Sequence, residues 1–376
     1  MTKILHLTHS DIEADSRILK EMRALARDGY VLAGIGIRRG EDGSARSALN
    51  FRADITHVVI HSRKFRFLPQ AIRHMLMVFE FFCRTVRLAI RTRADVVHCH
   101  DTLVLPLGVA VKFFTKARLV YDAHELESDM GVATALERRL TLWAEKTLWR
   151  FVDALIVVSP SILDWYQENI GPKLAEVILN SPSYNEGIRV NSDYLRSKFS
   201  IPSECRVFIY VGALGAGRGL DLVVDAFTQP DISSHVVFLG YGDWYGKIER
   251  LGREHANLHV HEAVPHKDVV PIVKSADYGL CLIESVSLSH LLCLPNKLFE
   301  YCFAGVPVLA SNFPDIQAVV SEFNLGECCG PESAAVHKAV RSLESSDRVF
   351  QFADLHPLSW QYQEEKLLKL YEKIEQ

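Results

Sequence analysis

Four short stretches hold residues whose types and spacing could do chemistry. In LPNKLFEYCFAGVPVLAS, Leu294 to Ser311, a helix beginning at Pro295 and Asn296 would present unpaired N–H groups and a positive dipole end, which suit a phosphate. Asn296, Lys297 and Leu298 make its first turn. Glu300, about one turn further in, would accept hydrogen bonds from ribose hydroxyls and stay clear of the phosphates, because like charges repel. On this segment alone, a surface helix with a solvated lysine and glutamate is the plainer account. The second stretch, GALGAGRGLD, Gly212 to Asp221, follows a strand and opens a helix. Gly215 and Gly217 permit close backbone approach there, and Arg218 can fork onto a diphosphate. The glycine spacing matches neither a dinucleotide fingerprint nor a P-loop.

The third stretch, YDAHELES, Tyr121 to Ser128, crowds Asp122, His124, Glu125 and Glu127 at a strand end, where a catalytic group would sit. A structural histidine and helix-capping acids would account for the same residues. The fourth, HCHDTL, His98 to Leu103, carries Asp101 and, together with His124, raises the question of a metal. No ordered ligand spacing supports zinc.

The elements that must position these groups are legible as an alternation. The β-branched runs ILHLTH, VLAGIGI, THVVI, DVVHCH, RLVYDA and ALIVVS are separated, in several cases, by helix-length segments. A second series runs through RVFIYVG, HVVFLGYG, LHVHEA, YGLCLI and VPVLAS. Such alternation predicts right-handed βαβ units and two mostly parallel, Rossmann-like sheets in tandem. A length of 376 residues also exceeds what one hydrophobic core sustains. The Ser-, Asn- and Pro-rich stretch between the two series places a linker near Pro182 to Val190. SWQYQEEKLLKLYEKIE reads as a long amphipathic helix after Pro357, burying Trp360, Leu367, Leu368, Leu370 and Tyr371. Ligand chemistry is expected at the carboxyl ends of the strands, in a cleft between the two domains.

Composition narrows the partners. A net charge of -4 gives no global reason to expect nucleic acid. The eight cysteines form no CxxC pair and read as reduced thiols of a cytoplasmic protein. MTKILHLTHSD opens directly on a strand-like run, without the apolar core or cleavage site of a secretory signal. The segment from His61 to Arg93 interleaves Arg63, Lys64, Arg66, Arg73, Arg84, Arg87, Arg91 and Arg93 with Phe65, Phe67, Met75, Phe79, Phe81 and Phe82. Its charges exclude a membrane span. A basic amphipathic helix lying on an anionic membrane and a core helix with a solvated basic face fit it equally.

Taken in order, DSRILKEMRALARDGYVL, DVVHCHD, YDAHE, DALIVVSPSI, VILNSP, the RGL loop, GYGD and PNKLFEYCFAGVPVLAS resemble a GT-B glycosyltransferase of family 4 over nearly the whole chain. The resemblance implies two Rossmann-like domains facing across a cleft. It divides them as 1–185 for the acceptor and 186–356 for the nucleotide sugar, with a helix at 357–376 crossing back to the first. It makes His124 the active-site histidine, Arg218 the basic contact to the donor diphosphate and Glu300 the second glutamate of a pair that holds the ribose. Gly240 of GYGD joins Gly215, Gly217, Arg218, Asn296, Lys297, Leu298 and Glu300 on the donor side. Three positions depart from the family pattern. Leu292 stands where the first glutamate is usual, Ala213 where many relatives have an arginine, and THSDIEADSR lacks a glycine pair.

The function so implied is retaining transfer of a hexosyl group from a UDP- or GDP-sugar to a hydroxyl of a glycan or lipid-linked glycan in cell-surface polysaccharide synthesis. No metal or other cofactor is expected, since Arg218, Lys297 and helix amino termini can offset the diphosphate charge. The expected location is cytoplasmic, with a peripheral membrane contact through residues 61–93. A nucleotide-sugar epimerase of the same fold and a non-catalytic nucleotide-sugar-binding subunit are the alternatives.

Overall fold

The computed structural model describes residues 1–37, 50–131, 133–182 and 193–376. From residue 183 onward the expected linker, and with it the expected 185/186 boundary, lies outside the described residues. The chain divides into two compact units, Met1–Ile178 with Glu364–Gln376, and Leu179–Gln363.

The first unit holds seven parallel strands: β1 (Lys3–Leu7), β2 (Val31–Gly36), β3 (Ala53–His57), β4 (Val96–His100), β5 (Arg118–Ala123), β6 (Ala154–Val157) and β7 (Leu174–Val177). Their order is β3-β2-β1-β4-β5-β6-β7. The second unit holds six: β8 (Val207–Ala213), β9 (His235–Tyr241), β10 (Leu258–Glu262), β11 (Tyr278–Cys281), β12 (Val308–Ser311) and β13 (Gly326–Cys329), ordered β10-β9-β8-β11-β12-β13. Central strands such as β4, β6 and β12 are buried at every residue, as expected where helices cover both faces of a parallel sheet. In each sheet the strand order reverses once, between β1 and β4 and between β8 and β11. In open parallel sheets, ligands bind just outside the carboxyl ends of the strands at such points.

Local sequence sets the helices that flank those points. Asp15 caps the helix Ser16–Arg27 by accepting from the Arg17 and Ile18 N–H groups at 3.0 and 3.2 Å. The helix Leu220–Phe227 starts from Gly219, whose φ of +73° favours glycine. The helix Asn296–Phe303 begins after Pro295 and closes at Gly305, with φ +72°. The last helix, Trp360–Glu375, buries Trp360, Leu367, Leu370 and Tyr371, and its residues from Glu364 onward belong to the first unit. There Tyr371 Oη lies 2.7 Å from His98 Nδ1, and Lys366 pairs with Glu176 at 3.0 Å.

Candidate active site

In the first unit, strand register assembles a polar cluster from residues scattered along the chain. Side chains alternate across a sheet, so His98 and His100 share a face of β4. Parallel pairing sets His6 beside His98 and Asp122 beside His100. All four are wholly buried. The rings of His6, His98 and His100 stack with centroids 4.3 to 5.3 Å apart.

Asp122 is the hub. Its Oδ1 accepts from the Arg17 guanidinium at 2.8 Å, and its Oδ2 lies 3.0 Å from His100 Nδ1 and 2.9 Å from His124 Nε2. Arg17 also pairs with Glu21 at 3.1 Å and donates to the Ile178 carbonyl at 2.9 Å. Burial alone would keep the Asp122 carboxyl protonated, but Arg17 and then His124 overcome it and hold Asp122 well below the usual carboxylate range. His124 faces the same opposition from burial, and the Asp122 and Asp101 carboxylates lift its imidazole to about 9. It is therefore a cation at neutral pH. His6, His98 and His100, dominated by burial, are pushed down and stay neutral. Glu21 rises to about 7, from burial and then from Asp122.

At the strand ends above this cluster, Asp101 Oδ1 lies 3.4 Å from His124 Nδ1, and its Oδ2 lies 3.8 Å from His9 Nδ1. Asp101 itself takes φ +69°, an uncommon conformation for a residue with a side chain, at the β1/β4 reversal. Glu125 is exposed, whereas Glu127 is pushed up to about 9 by burial and by Asp101.

Groups of side chains that could ligate a metal occur here, including His6, Glu21, His98 and His100. In this set His6 Nδ1 and His100 Nε2 pair with each other at 3.0 Å, and His100, Asp122 and His124 form a second set beside it. Arg17, moreover, already supplies the cationic partner of Asp122 and Glu21.

In the second unit, the glycine loop leaves β8 at the β8/β11 reversal. Gly217 and Gly219 take φ of +76° and +73°, and a Cβ on Gly219 would come within 2.6 Å of the Leu282 carbonyl oxygen. Glu284 Oε1 accepts from the Gly219 N–H at 3.1 Å. Lys297 Nζ donates to the same Leu282 carbonyl at 3.4 Å and lies 4.1 Å from the centroid of the Tyr210 ring. The end of β11 thus joins the loop carrying Arg218 to the helix carrying Lys297 and Glu300.

The individual residues sort clearly. Arg218 and Asn296 are exposed, Lys297 is half-buried and Glu300 is buried. Around Gly215 a Cβ would meet nothing within 4 Å, so no packing requirement explains that glycine. Gly240 is required by packing, since a Cβ there would strike the Gly212 carbonyl oxygen at 1.8 Å. Leu298 points into the core, and its N–H bonds the Pro295 carbonyl at 3.0 Å.

Sequence models of Glycosyltransferase Family 4 and of Glycosyl transferases group 1 match residues 17–181 and 191–353. The chain belongs to the family-4-like glycosyltransferases of GT-B fold. A glycogen synthase of Mycobacterium tuberculosis is 28% identical over 269 residues, 67% of this chain and 60% of its own length. The chain thus spans only about three fifths of the curated relatives it matches. Among solved structures, a sucrose-phosphate synthase from Thermosynechococcus elongatus superposes with a TM-score of 0.71 at 16% identity, covering 100% of this chain and 96% of the other. Anabaena HepE in complex with UDP-glucose gives 0.70 at 13%, covering 99% and 100%.

Within this family-4-like chain the sequence reading missed three partners of the groups it named. Arg17 is 105 residues from Asp122, and only the Arg17/Glu21 spacing of one helical turn hints at a buried pair. His6 could have been found, because a histidine inside an apolar strand run must be satisfied by a neighbour. Glu284 carries no spacing signal at all.

Proposed function

We propose that the protein transfers a hexosyl group from a nucleoside-diphosphate sugar to a hydroxyl acceptor, with retention of anomeric configuration. The observation that carries this reading is the second unit's strand-order reversal. There the Arg218 loop and the Lys297–Glu300 helix are tied to one strand end, with cations and helix amino termini suited to a diphosphate and a carboxylate suited to ribose hydroxyls. In the reaction, the bond between the anomeric carbon and the diphosphate oxygen breaks as the acceptor oxygen bonds the same face of the sugar. The acceptor proton passes to the departing diphosphate. Arg218 and Lys297 offset the charge on the leaving group, and the cationic His124 belongs to the acceptor side. The transfer needs no divalent ion on this reading.

A glycan or lipid-linked glycan is the proposed acceptor. The helix Gln70–Thr92 supports a membrane contact, because its amino-terminal half exposes Ile72 (47%), Met75 (69%) and Phe79 (67%), while Phe81, Thr85, Val86 and Ala89 bury its other end. Residues 61–93 carry eight Lys/Arg against the single acid Glu80, in a chain of net charge -4. An anionic lipid surface complements that face. Among the described residues no helix is long and apolar enough to cross a membrane.

A thermal-shift screen of UDP-, GDP- and ADP-sugars tests the donor reading, since a ligand that binds only the folded state raises its melting temperature. No shift with any of them refutes it. Turnover that persists in excess EDTA is expected. Activity abolished by EDTA and restored by magnesium would refute metal independence, and conversion of donor without acceptor would mark an epimerase.

A further inference from the structure

Arg218 is exposed, and among the described residues its guanidinium has no hydrogen-bond or ion-pair partner. The direction it takes from the loop therefore depends on the backbone around it. That backbone lies between two glycines of positive φ, Gly217 at +76° and Gly219 at +73°. Glycine restricts its own backbone least of all residues, so such a loop needs an outside constraint to keep one conformation.

Glu284 supplies that constraint from 65 residues away. Its Oε1 accepts from the Gly219 N–H at 3.1 Å, and its own N–H donates, at a long 3.5 Å, to the Gly217 carbonyl. One residue thus holds the chain immediately before and immediately after Arg218. Gly219 is also the N-cap of the helix Leu220–Phe227. In a capping box a glutamate at N3 would accept from the N-cap N–H; here N3 is Leu222, and Glu284 makes that bond in its place. Glu284 is itself anchored through its neighbour. The N–H of Ile283 donates to Ser311 Oγ at 2.9 Å, and the Ile283 carbonyl accepts from the same hydroxyl at 3.0 Å. Ser311, the last residue of β12, is wholly buried.

We infer that Glu284 is a positioning residue for Arg218, holding the loop so that the guanidinium meets the donor diphosphate. This rests on the nucleotide-sugar reading above. A direct contact with the diphosphate is not its role, because a carboxylate repels that anion. Its contribution is to order the loop before the ligand arrives, which reduces the entropy lost on binding.

The experiment is calorimetric titration of the full chain with whichever of UDP, GDP or ADP binds the wild type most tightly. Glu284→Ala should weaken that ligand about 10-fold. Glu284→Gln keeps a side-chain oxygen to accept from Gly219 and should stay within about 3-fold of wild type. In an Arg218→Gln background, adding Glu284→Ala should cost less than about 2-fold, because a residue that acts through Arg218 has nothing left to act on. Glu284→Asp, one methylene short of the Gly219 N–H, should give the alanine pattern and takes its place if the alanine variant does not fold. A loss of about 10-fold that persists in the Arg218→Gln background overturns the assignment, since Glu284 would then act independently of Arg218. So does a glutamine variant as weak as the alanine one, or unchanged affinity in Glu284→Ala. Wild-type affinity in Arg218→Gln removes Arg218 from the donor site and ends the inference. Wild-type protein that binds none of the three nucleoside diphosphates overturns the donor reading and this inference with it.

Discussion

The two sheets meet the same problem, presenting charge at a strand-order reversal, in opposite ways. In the first unit Arg17, Glu21 and Asp122 are buried under the strand ends and pair at short range beside the neutral His98 and His100, with the cationic His124 at their edge. In the second, the cations Arg218 and Lys297 ride on a glycine loop and a helix start, exposed or half-buried. A buried charge is tolerated only when paired, so the first arrangement is rigid and each member depends on the others. An exposed charge keeps its hydration and contributes little to folding, so the second is free to bind. Stability effects should therefore concentrate in the first cluster and ligand-affinity effects in the second.

The largest expected effect is on the hub. Asp122→Asn removes the carboxylate that Arg17 and His124 share and should cost about 3–5 kcal/mol in urea unfolding of the full chain. A loss below about 1 kcal/mol would mean that the cluster is not held by charge. His124→Ala should lower turnover about 100-fold with donor affinity little changed, the pattern of a group that works in the transition state. Intact turnover would remove His124 from the active site. Glu300→Ala should weaken donor binding by about 1.5–3 kcal/mol, through loss of a charged acceptor for the ribose hydroxyls. Unchanged affinity in a folded variant would end that assignment.

A smaller effect should appear with pH. His124 titrates near 9 in the fold, above the ordinary histidine value. Its contribution to stability is fully present below about pH 6.5 and is lost as pH rises through 9. Glu127, also raised to about 9, acts with the same sign. Stability should thus fall on the order of 1–3 kcal/mol between pH 6.5 and 9, with a shallower slope in His124→Ala. A flat profile would contradict the charged histidine. The smallest effect belongs to Arg218→Gln, which should change stability by less than about 0.5 kcal/mol while still weakening donor binding. A large loss of stability there would erase the contrast between the two units.

Sequence pattern made most of the fold legible, and for a physical reason. Central parallel strands need continuous apolar runs, and ten of the eleven such runs coincide closely with strands, while THVVI only overlaps the end of β3 (Ala53–His57). Two further strands carry no such signal. β7 (LAEV) and β13 (GECC) lie at sheet edges, are not fully buried and so lack the apolar run. The last helix was legible because an amphipathic stripe of period 3.6 survives in any context.

What the sequence determined by itself was the alternation of strand and helix, the glycines that open and close helices, and the polar residues placed at strand ends. These depend on local backbone preference and on the repeat of burial, both written in neighbouring residues. Only the tertiary structure decided that Arg17 would neutralise Asp122, that His6 would lie on His98, and that Glu284 would hold the Gly219 N–H. Those contacts are made by strand register and by helices returning over the sheet from distant parts of the chain. Whether a histidine is charged or neutral follows from such neighbours, since burial and nearby charge set its proton affinity.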